Sequence, residues 1–152
     1  MIEGVKVKKV VVHKDDRGFF AEMVKFGEET FHEVLQTSYS ETNPGVIKAF
    51  HIHDYWEVWC IIKGQAQVVL HDLRDDSSTK GQTDVIYTGE DNMMVIAIPG
   101  EVAHGYKPLG SGPMGIIYHA SEAYNSKNIT IRTIPFDSPE INFDWSTKTK
   151  NR

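Results

Sequence analysis

With 152 residues the chain has the length of one domain, long enough to bury a core without staples. Its 40% hydrophobic and 24% charged residues are those of an ordinary soluble globular protein, and a formal net charge of -5 runs against a general nucleic-acid binder, which carries a basic stripe. A single cysteine, Cys60, excludes an intramolecular disulfide and a cysteine-based zinc site; inside the apolar run "VWCII" it reads as a buried, inert thiol.

The start, "MIEGVKVKKVVVHKDDRG", has too short an apolar stretch and too much charge for a secretory signal. No apolar run approaches the roughly 18 residues of a membrane span. The expectation is a cytoplasmic protein without membrane contact. Short β-branched and aromatic runs predict strands over 5–12, 19–26, 36–41, 45–53, 56–63, 65–73, 83–87, 93–98, 102–107, 113–120 and 128–135, punctuated by turn sequences such as "TNPG", "GEDN" and "PLGSGP". In "QAQVVLHDLR", Ala66, Val68 and Leu70 fall on one face and Gln67, Val69 and His71 on the other. A helical turn or two is predicted at "EETFHEVL", where Phe31, Val34 and Leu35 share a face. The tail "STKTKNR" is polar and reads as frayed. One all-β domain over 1–152, a double-sheet sandwich or jelly roll with few short helices, is the predicted architecture.

Chemistry concentrates in "GVIKAFHIHDYWEVWCIIKG", residues 45–64. Alternate residues of a strand point the same way, so His51 and His53 project together, and Glu57 joins them if the chain turns back at "DYW". The spacing G-x5-H-x-H-x3-E-x6-G resembles the first motif of the cupin superfamily at every fixed position, and "IPGEVAHGY" resembles the second, contributing His104. Three imidazoles (His51, His53, His104) and the Glu57 carboxylate suit one divalent ion of Zn, Mn, Fe, Ni or Cu without choosing among them. The bland reading is a polar-lined barrel mouth that holds no ion.

A narrower resemblance runs over roughly residues 15–145. "DDRGFFAEM", "GVIKAFHIH", "GQAQVVLHDLR", "IPGEVAHGY", "YHASEAYN" and "FDSPEINFDW" resemble, in order, six motifs of the dTDP-4-dehydrorhamnose 3,5-epimerase family, which are dimeric cupins. The resemblance implies an isomerase that inverts carbons flanking the ketone of a dTDP-linked 4-keto-6-deoxysugar. It implies His51 as the base that removes the proton next to the ketone and Tyr124 as the acid on the opposite face. Arg17, Phe20, Glu22 and Gln36 would hold nucleotide and sugar, often across a homodimer interface. Lys48 stands where the family has a phosphate-binding arginine, and lacks its bidentate fork; His104 would lie in the same pocket.

Three departures bear on mechanism. The family's lysine, which steadies the developing enolate, falls on Glu57, and the glutamine after the catalytic histidine becomes His53. Beyond Trp145 the sequence does not supply the family's C-terminal segment, with the aspartate that pairs the histidine. The first two changes are those that complete the cupin metal quartet, and a divalent cation can do the lost lysine's work. His51 then has to be either ligand or free base.

Plainer roles stand beside these. Tyr124 as a half-buried core tyrosine, the Asp15–Asp16–Arg17 stretch as a solvated turn, and Trp56 and Trp59 as packing residues (one of them lining a sugar or base pocket) are all consistent with the sequence. His13, His32, His71 and His119 are expected to be solvated or satisfied in the core. The functional expectation is a nucleotide-sugar epimerase or ketoisomerase. The alternatives are a metal-dependent cupin acting on an unrelated small substrate and a non-catalytic nucleotide-sugar-binding module.

Overall fold

A computed structural model of the chain describes residues 1–146. Two antiparallel five-stranded sheets face each other. One has the order β1 (Lys6–Lys9), β9 (Met94–Ile98), β6 (Glu57–Lys63), β11 (Met114–Ala120), β4 (Gln36–Thr42). The other has the order β12 (Arg132–Thr133), β5 (Lys48–Ile52), β10 (Val102–Leu109), β7 (Gln65–Asp72), β8 (Thr83–Gly89). A hairpin of β2 (Val12–Asp15) and β3 (Gly18–Ala21) stands apart from both. This is the all-β jelly-roll architecture read from the strand pattern.

Period-two alternation explains what lies between the sheets. Ala66, Val68 and Leu70 of β7 meet Trp59 and Ile61 of β6 and Ile116 of β11 in the central core. The opposite face of β7 is buried too: Val69 packs with Phe50, Ile134, Ile141 and Trp145, because the chain after β12 crosses back over this sheet. The outer face of the first sheet is covered in turn by the segment around the hairpin, where Val10, Val12, Ala21 and Met23 lie against Val58, Cys60 and Val95. Burial pushes the Cys60 thiol up to about 11, so it is inert as expected.

Several predicted elements change on folding. The strand expected over 5–12 divides into β1, which pairs with β9, and β2, which pairs with β3. The run predicted over 19–26 shortens to β3, which begins one residue earlier and ends at Ala21, and 128–135 keeps only Arg132–Thr133, held on β5. Among the described residues there is no helix; residues 28–35 form turns and irregular chain. Phe31 packs edge-on against Phe26, while Val34 and Leu35 stay exposed, so the apolar stripe has no surface to cover and a two-turn helix has nothing to hold it. Residues 147–152, where the tail was expected to fray, lie outside the described residues.

Candidate active site

Between the sheets, at one end, opens a cavity of about 320 Å³. Its wall takes His51 from β5, His53 and Tyr55 from the chain just after β5, Glu57 and Trp59 from β6, and Tyr124 from the chain following β11. Glu57 opens β6 in one sheet, and His51 lies opposite His104 in the other. The cavity floor therefore joins the two layers.

Local structure separates the two histidines of the H-x-H motif. Strand β5 stops at Ile52, so His53 lies beyond the alternating part of the chain. Its carbonyl accepts a 2.6 Å hydrogen bond from the Glu101 N–H in the turn between β9 and β10. That turn needs its glycine: a Cβ on Gly100 would lie 2.8 Å from the Asp54 carbonyl oxygen. Drawn toward this turn, His53 is buried, while His51 remains open to solvent on its cavity side. The two rings meet only edge to face, with centroids 6.4 Å apart.

His53, Glu57 and His104 are all buried and each offers a donor atom, all within 4.8 Å of one another. His53 Nε2 is 3.5 Å from Glu57 Oε1, and His104 Nε2 is 3.4 Å from Glu57 Oε2. Trp59 Nε1–H donates to Glu57 Oε2 at 2.8 Å, and its indole packs edge-on against the His104 ring. Three of the four expected metal ligands thus come together, and His51 is outside the cluster. The reason is the end of β5, which breaks the shared facing that the sequence pattern implied.

Electrostatics divide the two histidines again. Burial pushes His53 down to about 4, against the pull of Glu57. His51 is also lowered, first by partial desolvation, then by His104 and Lys48, with Glu57 opposing. Among the described residues no carboxylate hydrogen-bonds His51. Burial alone raises Glu57, but the neighbouring imidazoles and the Trp59 N–H outweigh it, and its net displacement is downward.

Tyr124 is 62% exposed, so it is not a core tyrosine. Its backbone N–H donates to Gln36 Oε1 at 2.8 Å, which fixes this loop beside β4. Lys48 reaches the same wall, its Nζ donating to Ser40 Oγ at 3.1 Å. Arg17, Phe20 and Glu22 are not brought to the cavity of their own chain. Arg17 bonds Asp15 across the hairpin turn, Phe20 stacks on His13, and Glu22 faces Lys25 at 3.9 Å. Trp56 stacks on His32 away from the cavity. His71 and His119 are satisfied by Thr83 and Thr37.

The profile of the dTDP-4-dehydrorhamnose 3,5-epimerase family matches residues 1–152. The chain belongs to this family. It is 52% identical over 149 residues to the spore coat polysaccharide biosynthesis protein SpsL of Bacillus subtilis strain 168, covering 97% of this chain and 99% of that one. It is 33% identical over 150 residues to the probable low-salt glycan biosynthesis epimerase Agl13 of Haloferax volcanii, covering 97% and 96%. Its fold matches the crystal structure of a dTDP sugar isomerase from Desulfovibrio desulfuricans G20 with a TM-score of 0.87, at 24% identity over 95% of this chain and 92% of that one. These relatives fit the fold and the family, and leave the roles of individual residues to geometry.

Sequence reasoning missed Tyr55, Tyr118 and Glu122 among the cavity residues. Tyr55 follows the H-x-H motif and its hydroxyl is pushed up to about 12, first by burial and then by Glu57 and Glu122, so it stays protonated. Tyr118 reaches the wall by β11 pairing with β6, and Glu122 lies in the loop before Tyr124. Only the i, i+2 relation of Glu57 and Trp59 was written locally enough to reveal that a tryptophan would hold the carboxylate.

Proposed function

We propose that this protein, as one cupin domain, epimerises a dTDP-linked 4-keto-6-deoxyhexose by removing and returning a proton beside the ketone. The observation that carries the reading is that one cavity is lined by both His51 and Tyr124, with His51 outside the buried His53–Glu57–His104 cluster. A hydrogen next to a ketone is acidic enough for one positioned base, and inversion needs an acid on the other face. His51, open to the cavity and held in its neutral form near neutral pH, serves as base. Tyr124 returns the proton. Lys48 faces the diphosphate as a point charge, and Gln36 positions the Tyr124 loop.

The substrate class follows from the family, whose structures include a 3,5-epimerase from Legionella pneumophila in complex with dTDP-4-keto-L-rhamnose. Arg17, Phe20 and Glu22 stand on or beside an exposed hairpin away from their own cavity, which supports a homodimer in which each chain lends these residues to its partner. Among the described residues no helix is long and apolar enough to cross a membrane; a cytoplasmic location goes with a nucleotide-sugar substrate.

The test is solvent exchange. In deuterated water with dTDP-4-keto-6-deoxyglucose, the protein is expected to wash deuterium into C3, C5 or both, read by mass spectrometry and NMR. Tight binding of dTDP-sugars with no exchange into any keto-sugar would make the protein a binding module instead.

A further inference from the structure

We propose that His53, Glu57 and His104 form a site for one divalent transition cation at the floor of the cavity, and that His51 stands outside it as a free imidazole. The separations approach those of a ligand set, with one donor atom from each side chain within 4.8 Å of the other two. Donors bound at the usual Zn–N and Zn–O distances lie about 3.0–3.5 Å from one another. Here the Glu57 oxygens lie 3.5 Å from His53 Nε2 and 3.4 Å from His104 Nε2.

The protons at His104 point the same way. Its Nδ1 lies 2.9 Å from the Val102 carbonyl oxygen, which only accepts, so Nδ1 carries the hydrogen. Its other nitrogen, Nε2, faces the Glu57 carboxylate at 3.4 Å. Nε2 is buried and has no hydrogen-bond partner. A cation between them satisfies both. One divalent ion takes a donor atom from each of the three side chains at once. The surrounding bonds are those that orient metal ligands, with a backbone carbonyl holding the far nitrogen of His104 and the Trp59 N–H holding Glu57.

Two nitrogens and one carboxylate suit Zn, Fe, Mn, Co, Ni or Cu. Three protein ligands leave coordination positions open, and His53 and Glu57 border the cavity that also holds His51 and Tyr124. On the epimerase reading, an ion held here would supply Lewis-acid charge to a ketone oxygen in the cavity and leave His51 free as the base.

Untagged protein, stripped with chelator and dialysed against Co²⁺, is expected to bind one equivalent and to show the visible absorption of a coordinated ion. Glu57→Gln and His104→Gln should weaken binding by about 100-fold or more, with folding checked by circular dichroism, whereas His51→Asn should bind as wild type does. Absence of saturable binding of Co²⁺, Zn²⁺ and Mn²⁺ by the wild type overturns the site without recourse to any variant. So does binding that survives Glu57→Gln in a folded protein, or that His51→Asn weakens as much as Glu57→Gln. Deuterium exchange is scored separately. Binding without exchange would sink the epimerase reading and keep the site; exchange without binding would do the reverse.

Discussion

A neutral imidazole is the only form of His51 that can take a proton from carbon, and its surroundings favour that form. Desolvation by the cavity wall, then the neighbouring His104 and the Lys48 ammonium, hold it below the ordinary 6.5, with Glu57 opposing. The sign follows. Activity is lost only where the ring protonates, so kcat/KM should climb on the acid side with a midpoint below 6.5 and lie flat through neutral pH. Removing the ammonium in Lys48→Met should move that midpoint upward; a wild-type midpoint at or above 6.5 would show that the base is another group. His51→Asn should abolish exchange. Tyr124→Phe should keep exchange but lose inversion by about 10²–10⁴-fold, because the enolate still forms and is reprotonated from the original face. A Tyr124→Phe variant that inverts like wild type would reduce this exposed phenol to a bystander.

The strands that carry these residues are set by a close approach. A Cβ on Gly105 would lie 2.3 Å from the Ala49 Cβ and 2.7 Å from the Lys48 carbonyl oxygen, so β10 and β5 touch through a glycine beside the irregularity between His104 and Tyr106. Gly105→Ala is expected to cost about 1–3 kcal/mol in denaturant melts and to lower exchange, since β5 and His51 must shift; Ala49→Gly should restore only part, because the backbone oxygen remains. Unchanged stability in Gly105→Ala would mean that the pair of strands is looser than it looks. This approach is invisible in the sequence, whereas the strands themselves are not. Alternation in "QAQVVLHDLR" and the seven consecutive residues of H-x-H-x3-E are local patterns, legible because neighbouring residues carry them. What stayed hidden depends on distant partners. The burial of His53 but not His51 comes from the Glu101–His53 bond, the burial of both faces of β7 from the returning chain around Trp145, and the loss of the helix at 28–35 from the want of an apolar surface beneath it.

At the scale of the whole molecule, one chain does not assemble every residue that the family motif assigns to ligand. The hairpin carrying Arg17 and Phe20 exposes Phe19 at 61% and Phe20 at 62%, on opposite faces of β3, with Val11 at 67% close by in sequence. On the homodimer proposed above, each hairpin is set at the other chain's cavity, and two-fold symmetry makes the exchange reciprocal. Light scattering should therefore give twice the mass of one chain at micromolar concentration. Mass alone does not show whose hairpin serves which cavity, but mixing does. Arg17→Ala and His51→Asn should each be inactive as pure proteins. Unfolded and refolded together in equal amounts, they should form heterodimers in which one cavity combines an intact His51 with the partner's intact Arg17. The other cavity in each heterodimer lacks both, and random pairing puts half of the dimers in this class. The mixture should recover roughly a quarter of wild-type exchange. Recovery of none, from two folded parents that each scatter as dimers, would show that each hairpin serves its own chain or that Arg17 never meets the substrate, and Arg17→Ala activity measured alone separates the two: a fully active variant means that Arg17 lies outside the site.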